Sequence, residues 1–130
     1  MTEPTSIDFL TVDDLLDLSR ITLGNYSLRD PGLLASAAAR PQATVFGSDA
    51  YETLAAKALA LMHSLVCNHA FIDGNKRMGW VAMRSFLILN GRDVKIDQDD
   101  AYGMVIAIAV GDLDVPNITD LISENIFVLP

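Results

Sequence analysis

Residues 69–77 read His-Ala-Phe-Ile-Asp-Gly-Asn-Lys-Arg and separate two apolar runs, 51–68 (YETLAAKALALMHSLVCN) and 78–89 (MGWVAMRSFLIL). In the first run Leu54, Ala55, Ala58, Leu59, Leu61, Met62, Leu65 and Val66 make a helix from about Tyr51 to Asn68 apolar nearly all round. Ser48 or Asp49 is available to cap it. The second run predicts another nearly all-apolar helix that stops at Asn90-Gly91, a pair suited to a left-handed C-terminal cap. Helices apolar on nearly every side belong at the centre of a bundle, so the polar stretch between them sits where the two central helices meet.

The rest of the chain supplies helices to surround that pair. Thr11 and Asp14 form a capping-box-like start for Val12, Leu15, Leu16, Leu18 and Ile21, and Gly24-Asn25 ends that run. Asp30-Pro31 provides an N-cap and an N1 proline for a short helix through Leu33, Leu34, Ala37 and Ala38, closed before Pro41. Gln42 to Phe46 has strand-like composition and precedes Gly47-Ser48, as one arm of a small hairpin or flap would. Asp97 with Asp100 opens a helix ending at Gly111, and Pro116 or Asn117 opens a last one through Leu121, Ile122 and Ile126. The expectation is all-α: a single compact domain over residues 1–130, a bundle of about six helices with at most a small β-flap.

Composition bounds the function. The chain has 130 residues, 51% of them hydrophobic, which suffices for one core. A formal net charge of −8 repels nucleic-acid backbones and anionic membranes, so neither is an expected partner and an anionic substrate must be held locally. The apolar stretches Met83–Leu89 and Gly103–Val110 are much shorter than the roughly 18 residues of a membrane span. One Cys cannot form an internal disulfide, and Met1 to Asp8 lacks the basic and apolar regions of a secretion signal, so a cytoplasmic location is expected.

Against this acidic background, 69–77 concentrates the chemistry. Gly74 permits positive φ, and the N–H groups around it can form an anion nest at the start of a helix. Lys76 and Arg77 fall in the first turn, where the helix dipole disfavours cations by up to about 1 kcal/mol each, and a di- or triphosphate would offset this. Arg77 can grip such an anion bidentately while Lys76 adds a point charge. Asp73 can hold Mg²⁺ as one carboxylate beside phosphate oxygens and water. His69 can take the proton from an attacking hydroxyl.

Plainer readings fit the same local spacing. Asp73-Gly74-Asn75 can be an ordinary turn, Lys76 and Arg77 solvated charges, and His69 a C-terminal cap of the preceding helix. Phe71 reads as an anchor into the core, and Trp80 as core or groove wall. His63, Cys67 and His69 together suggest zinc but lack a fourth ligand. Asp97, Asp99 and Asp100 read as a helix-start charge cluster.

The run 69–77 resembles the His-x-Phe-x-Asp-[Gly/Ala]-Asn-Lys-Arg signature of the Doc (death-on-curing) branch of the Fic superfamily, matching every defined position. Asp30-Pro31-Gly32, Arg40-Pro41-Gln42, Leu54-Ala55-Ala56-Lys57 and Leu87 to Gly91 extend the likeness over roughly residues 30 to 91. The resemblance implies the all-helical Fic fold, with the motif loop joining two central helices. It implies ATP and Mg²⁺ as cofactors, His69 as general base and Asp73 as metal ligand. Asn75 and the Gly74 backbone would bind phosphate oxygens, and Lys76 with Arg77 would neutralise charge developing during in-line transfer. Most of the superfamily has glycine where this chain has Lys76 and transfers AMP. In the Doc branch the lysine accompanies an inverted nucleotide and transfer of the γ-phosphoryl group to a Thr of elongation factor Tu, halting translation. The partner implied is a small antitoxin whose disordered C-terminal segment folds on the toxin.

Two positions depart from that pattern. Cys67 stands where relatives commonly have Arg, and Met78-Gly79-Trp80 replaces a Thr-Ala-rich turn. Loss of a charge-assisted phosphate contact at 67 would lower activity. The alternatives are therefore a Fic-type AMP transferase and a catalytically degenerate binding module.

Overall fold

A computed structural model describes residues 3–130, so the leader reading of Met1 to Asp8 falls partly outside the described residues. The helices are α1 (Val12–Leu23), α2 (Pro31–Ala39), α3 (Leu54–Asn68), α4 (Asn75–Leu89), α5 (Gln98–Ala109) and α6 (Val115–Ile122). Two antiparallel pairs accompany them: β1 (Thr44–Val45) with β2 (Ser48–Asp49), and β3 (Arg92–Val94) with β4 (Ile126–Val128). This is the all-α architecture with a small flap, enlarged by one strand pair.

Local chemistry explains most boundaries. Thr11 and Asp14 close a reciprocal capping box, and Asp30 accepts from Gly32 and Leu33 ahead of Pro31. Asp97 accepts from Asp99 and Asp100, so the acidic cluster is a helix start. Gly91, at φ +76°, follows α4 as expected.

Three expectations are corrected. Helix α3 begins at Leu54 under a Thr53 cap, because Ser48 and Asp49 are engaged in β2. Asp49 also pairs with Lys57 Nζ at 3.0 Å, tying the flap to α3 through a buried lysine. The last helix starts one residue ahead of Pro116, capped by Asp114, and ends at Ile122. Ile126 has helical spacing from Ile122 yet lies in β4, where pairing with Val94 gives its backbone partners.

Helices α3 and α4 share the most extensive contact in the fold. Leu54, Leu59, Leu61, Met62 and Leu65 from α3 and Met78, Ala82, Met83, Phe86 and Leu87 from α4 are all at most 1% exposed. Gly79 lets the two backbones approach: a Cβ there would lie 2.5 Å from Val66 Cγ2 and 3.1 Å from the Met62 carbonyl oxygen. Gly79→Ala gains helix propensity of about 1 kcal/mol but overpacks this seam by roughly 1–3 kcal/mol. The variant is expected to be less stable in urea unfolding; a variant more stable than the parent would mean the seam is loose.

Arg84 and Asp93 tie α4 to β3 through two parallel bonds, Nε to Oδ1 at 3.0 Å and Nη2 to Oδ2 at 2.8 Å. Hydrogen bonding from Arg84 holds the Asp93 carboxyl below its ordinary range, against the opposing effect of burial. A carboxyl lowered by folding contributes stability above its unfolded value of about 3.9 and loses that contribution as pH falls through the folded value. The stability lost on Asp93→Asn should therefore be largest near neutrality and shrink below about pH 4. Thermal unfolding of both proteins across that range checks it; a pH-independent difference would rule the pair out as its source.

Candidate active site

The 69–77 stretch turns the chain from α3 into α4. His69 ends α3 in the left-handed conformation, φ 54° and ψ 50°, and its side chain is exposed. A non-glycine residue held there costs on the order of 1 kcal/mol, so surrounding contacts must enforce it. They come largely from segment 27–30. Arg29 N and Asp30 N donate to Ala70 O at 2.8 and 3.1 Å, and Ile72 N donates to Ser27 O at 3.0 Å, around an antiparallel bridge between Leu28 and Phe71. The Arg29 guanidinium donates to Asn68 O and His69 O, carbonyls that the end of a helix leaves without partners.

Phe71 is the anchor its sequence context suggested, 1% exposed and edge-on to Tyr26 with ring centroids 5.6 Å apart. Asn75 clasps its backbone. Its side-chain Oδ1 accepts from Phe71 N at 3.1 Å and its Nδ2 donates to Phe71 O at 2.9 Å, all within the buried layer. Asn75 thus fixes the loop's curvature.

Gly74 has φ +89°, and a Cβ there would lie 2.5 Å from Leu23 Cδ2, so both conformation and space favour glycine. As N-cap of α4 it brings no side-chain cap, whereas Thr11, Asp30, Thr53, Asp97 and Asp114 cap the other α-helices with theirs. The first-turn N–H groups of α4 therefore have no side-chain cap, and Lys76 and Arg77 beside them are exposed. Neither cation has a carboxylate partner among the described residues. Asp73 is exposed and uses Oδ1 to accept from Gly74 N at 2.8 Å, which leaves Oδ2 for a further ligand. One free carboxylate oxygen beside an anion-receptive helix start fits Mg²⁺ shared with phosphate.

The zinc trio is not assembled. His63 Nε2 is 3.8 Å from Cys67 Sγ, but among the described residues no group of three or more metal-competent side chains forms. His63 Nδ1 faces Arg40 Nη1 at 2.9 Å; Arg can only donate, so Nδ1 accepts and the proton resides on Nε2. Burial and then the Arg40 charge lower the His63 pKa, partly opposed by Asp114, so this histidine is held neutral. Cys67 lies against the Ile108 carbonyl of α5, and burial pushes its thiol up. Trp80 is half-buried against the core.

Sequence reasoning missed Arg29 and Tyr26. Arg29 grips carbonyls 39 and 40 residues away, and no local periodicity encodes such a contact. Its position directly before the Asp30 cap was the available signal.

A family profile described as Fic/DOC family matches residues 9–87, from ahead of α1 through almost all of α4, and so includes the entire loop. The chain belongs to the Fic/Doc family. It is similar in particular to toxin Doc of Mycolicibacterium smegmatis, 44% identical over 114 residues, covering 85% of this chain and 88% of that protein. No helix among the described residues is long and apolar enough to cross a membrane.

Proposed function

We propose that this protein is the toxin of a toxin–antitoxin pair and transfers the γ-phosphoryl group of ATP to a Thr or Ser hydroxyl of a cytoplasmic protein, by resemblance elongation factor Tu, so that translation stops. The observation that carries the reading is the uncapped N-terminus of α4, flanked by Asp73, Lys76 and Arg77 and preceded by an exposed His69. The likeness to toxin Doc supports the biological setting. A small antitoxin with a disordered C-terminal segment is the partner this setting implies.

His69 removes the proton of the acceptor hydroxyl. The first-turn N–H groups of α4 and the Arg77 guanidinium bind phosphate oxygens, and Lys76 neutralises charge that grows on them during transfer. Asp73 would hold Mg²⁺, which when bound supplies further neutralisation of the phosphates. Asn75 contributes chiefly through the shape it imposes at Phe71. Lys76 favours phosphoryl over adenylyl transfer because its side chain occupies a place that AMP-transferring relatives leave to glycine.

Arg77 contacts phosphate before and during the reaction, so Arg77→Ala is expected to weaken ATP binding and transfer together. Calorimetry beside an assay of transfer measures both; full ATP affinity in the variant would remove Arg77 from the phosphate site. Induced expression should arrest growth with rapid loss of amino-acid incorporation, relieved by co-expression of its antitoxin. Growth without arrest and no ATP binding would instead favour a degenerate binding module.

A further inference from the structure

We propose that Arg29 is the positioning residue for His69: its guanidinium sets the backbone angles that aim the imidazole. This rests on the reading of His69 as the base. Arg29 Nη2 donates to Asn68 O at 3.0 Å and Arg29 Nε donates to His69 O at 2.7 Å. The Asn68 carbonyl belongs to the peptide plane before the His69 Cα, and the His69 carbonyl to the plane after it. The rotations of those two planes about the Cα are φ and ψ of His69. One rigid, planar guanidinium holds both planes and so holds both angles at the left-handed values of 54° and 50°.

The next carbonyl is held by the same residue. Arg29 N donates to Ala70 O at 2.8 Å, joined by Asp30 N at 3.1 Å, so three successive carbonyls are gripped from one point of segment 27–30. Glycine is the usual occupant of a left-handed position at a helix end, and a base could not be placed there on glycine. Arg29 lets a histidine occupy it, and its charge lies favourably at the C-terminal end of α3. Lysine would restore that charge but not the two-point grip, because an ammonium on a flexible stem cannot fix two planes at once.

The test compares Arg29→Lys and Arg29→Ala with the parent in two readouts. In transfer assays kcat is expected to fall about 10- to 100-fold in both variants while KM for ATP changes by less than about twofold, since misplacing a base by about an ångström has that effect. In NMR spectra the imidazole resonances of His69 should shift and broaden in both variants. Those of His63, the chain's other histidine, should stay in place and report an intact fold. Unmoved His69 resonances in either variant, parental kcat, or full rescue by lysine would overturn the proposal. If the parent itself transfers no phosphoryl group, the proposed function fails, while the His69 spectra still decide the role of Arg29.

Discussion

The His69→Ala protein is expected to bind ATP normally and to transfer phosphoryl groups roughly 10²- to 10⁴-fold more slowly, the usual contribution of a positioned general base. The separation follows from where the parts lie. The anion-receptive groups belong to the start of α4, whereas His69 is the residue that ends α3. Removing an exposed imidazole leaves the Asn75 clasp and the uncapped helix start intact. Growth arrest should vanish with it. Calorimetric ATP titration and single-turnover transfer on the same sample check the split. Near-parental transfer, or lost ATP binding in a folded protein, would show that His69 is not the base.

The second large effect is expected at Asn75, and it should appear as lost stability and lost transfer together. Alanine there strips partners from Phe71 N and Phe71 O in a layer where Asn75 is 8% and Phe71 1% exposed. Each buried polar group left unsatisfied costs about 1–3 kcal/mol, so a total of roughly 2–4 kcal/mol is expected with some water entry. In a domain of this size that lowers Tm by roughly 10 °C. Asn75→Asp should fail in a distinct way, because a carboxylate still accepts from Phe71 N but faces Phe71 O without a proton to donate. Thermal unfolding of both variants measures the loss; a Tm within a degree or two of the parent would mean that the loop is held elsewhere.

What the sequence revealed was governed by locality. The motif loop and its two helices were legible because adjacency in the chain brings His69, Asp73, Gly74, Asn75, Lys76 and Arg77 together, and apolar periodicity placed α3 and α4 around them. Caps at Thr11, Asp30 and Asp97 were legible for the same reason. The start of α3 was not. Ser48, Asp49 and Thr53 can all cap, and the choice falls to Thr53 because the flap ladder and Lys57 claim Asp49. The β3–β4 pair joins segments some thirty residues apart, and nothing in Ile126 itself shows that Val94 waits for it. The residue type of Asn75 suggests a phosphate contact, whereas its side-chain bonds to Phe71 N and O are a detail of geometry that residue type does not convey.

The most direct test of the central claim is the fate of label from ATP. The protein is incubated with Mg²⁺, elongation factor Tu and ATP labelled at either the α- or the γ-phosphate, and the target is then examined for label. Transfer of γ-label alone, abolished by His69→Ala, is the result expected. Transfer of α-label to the target would show adenylyl chemistry and overturn the reading of Lys76, and no label from either position, where an active Doc toxin does label the target, would contradict the proposed kinase activity.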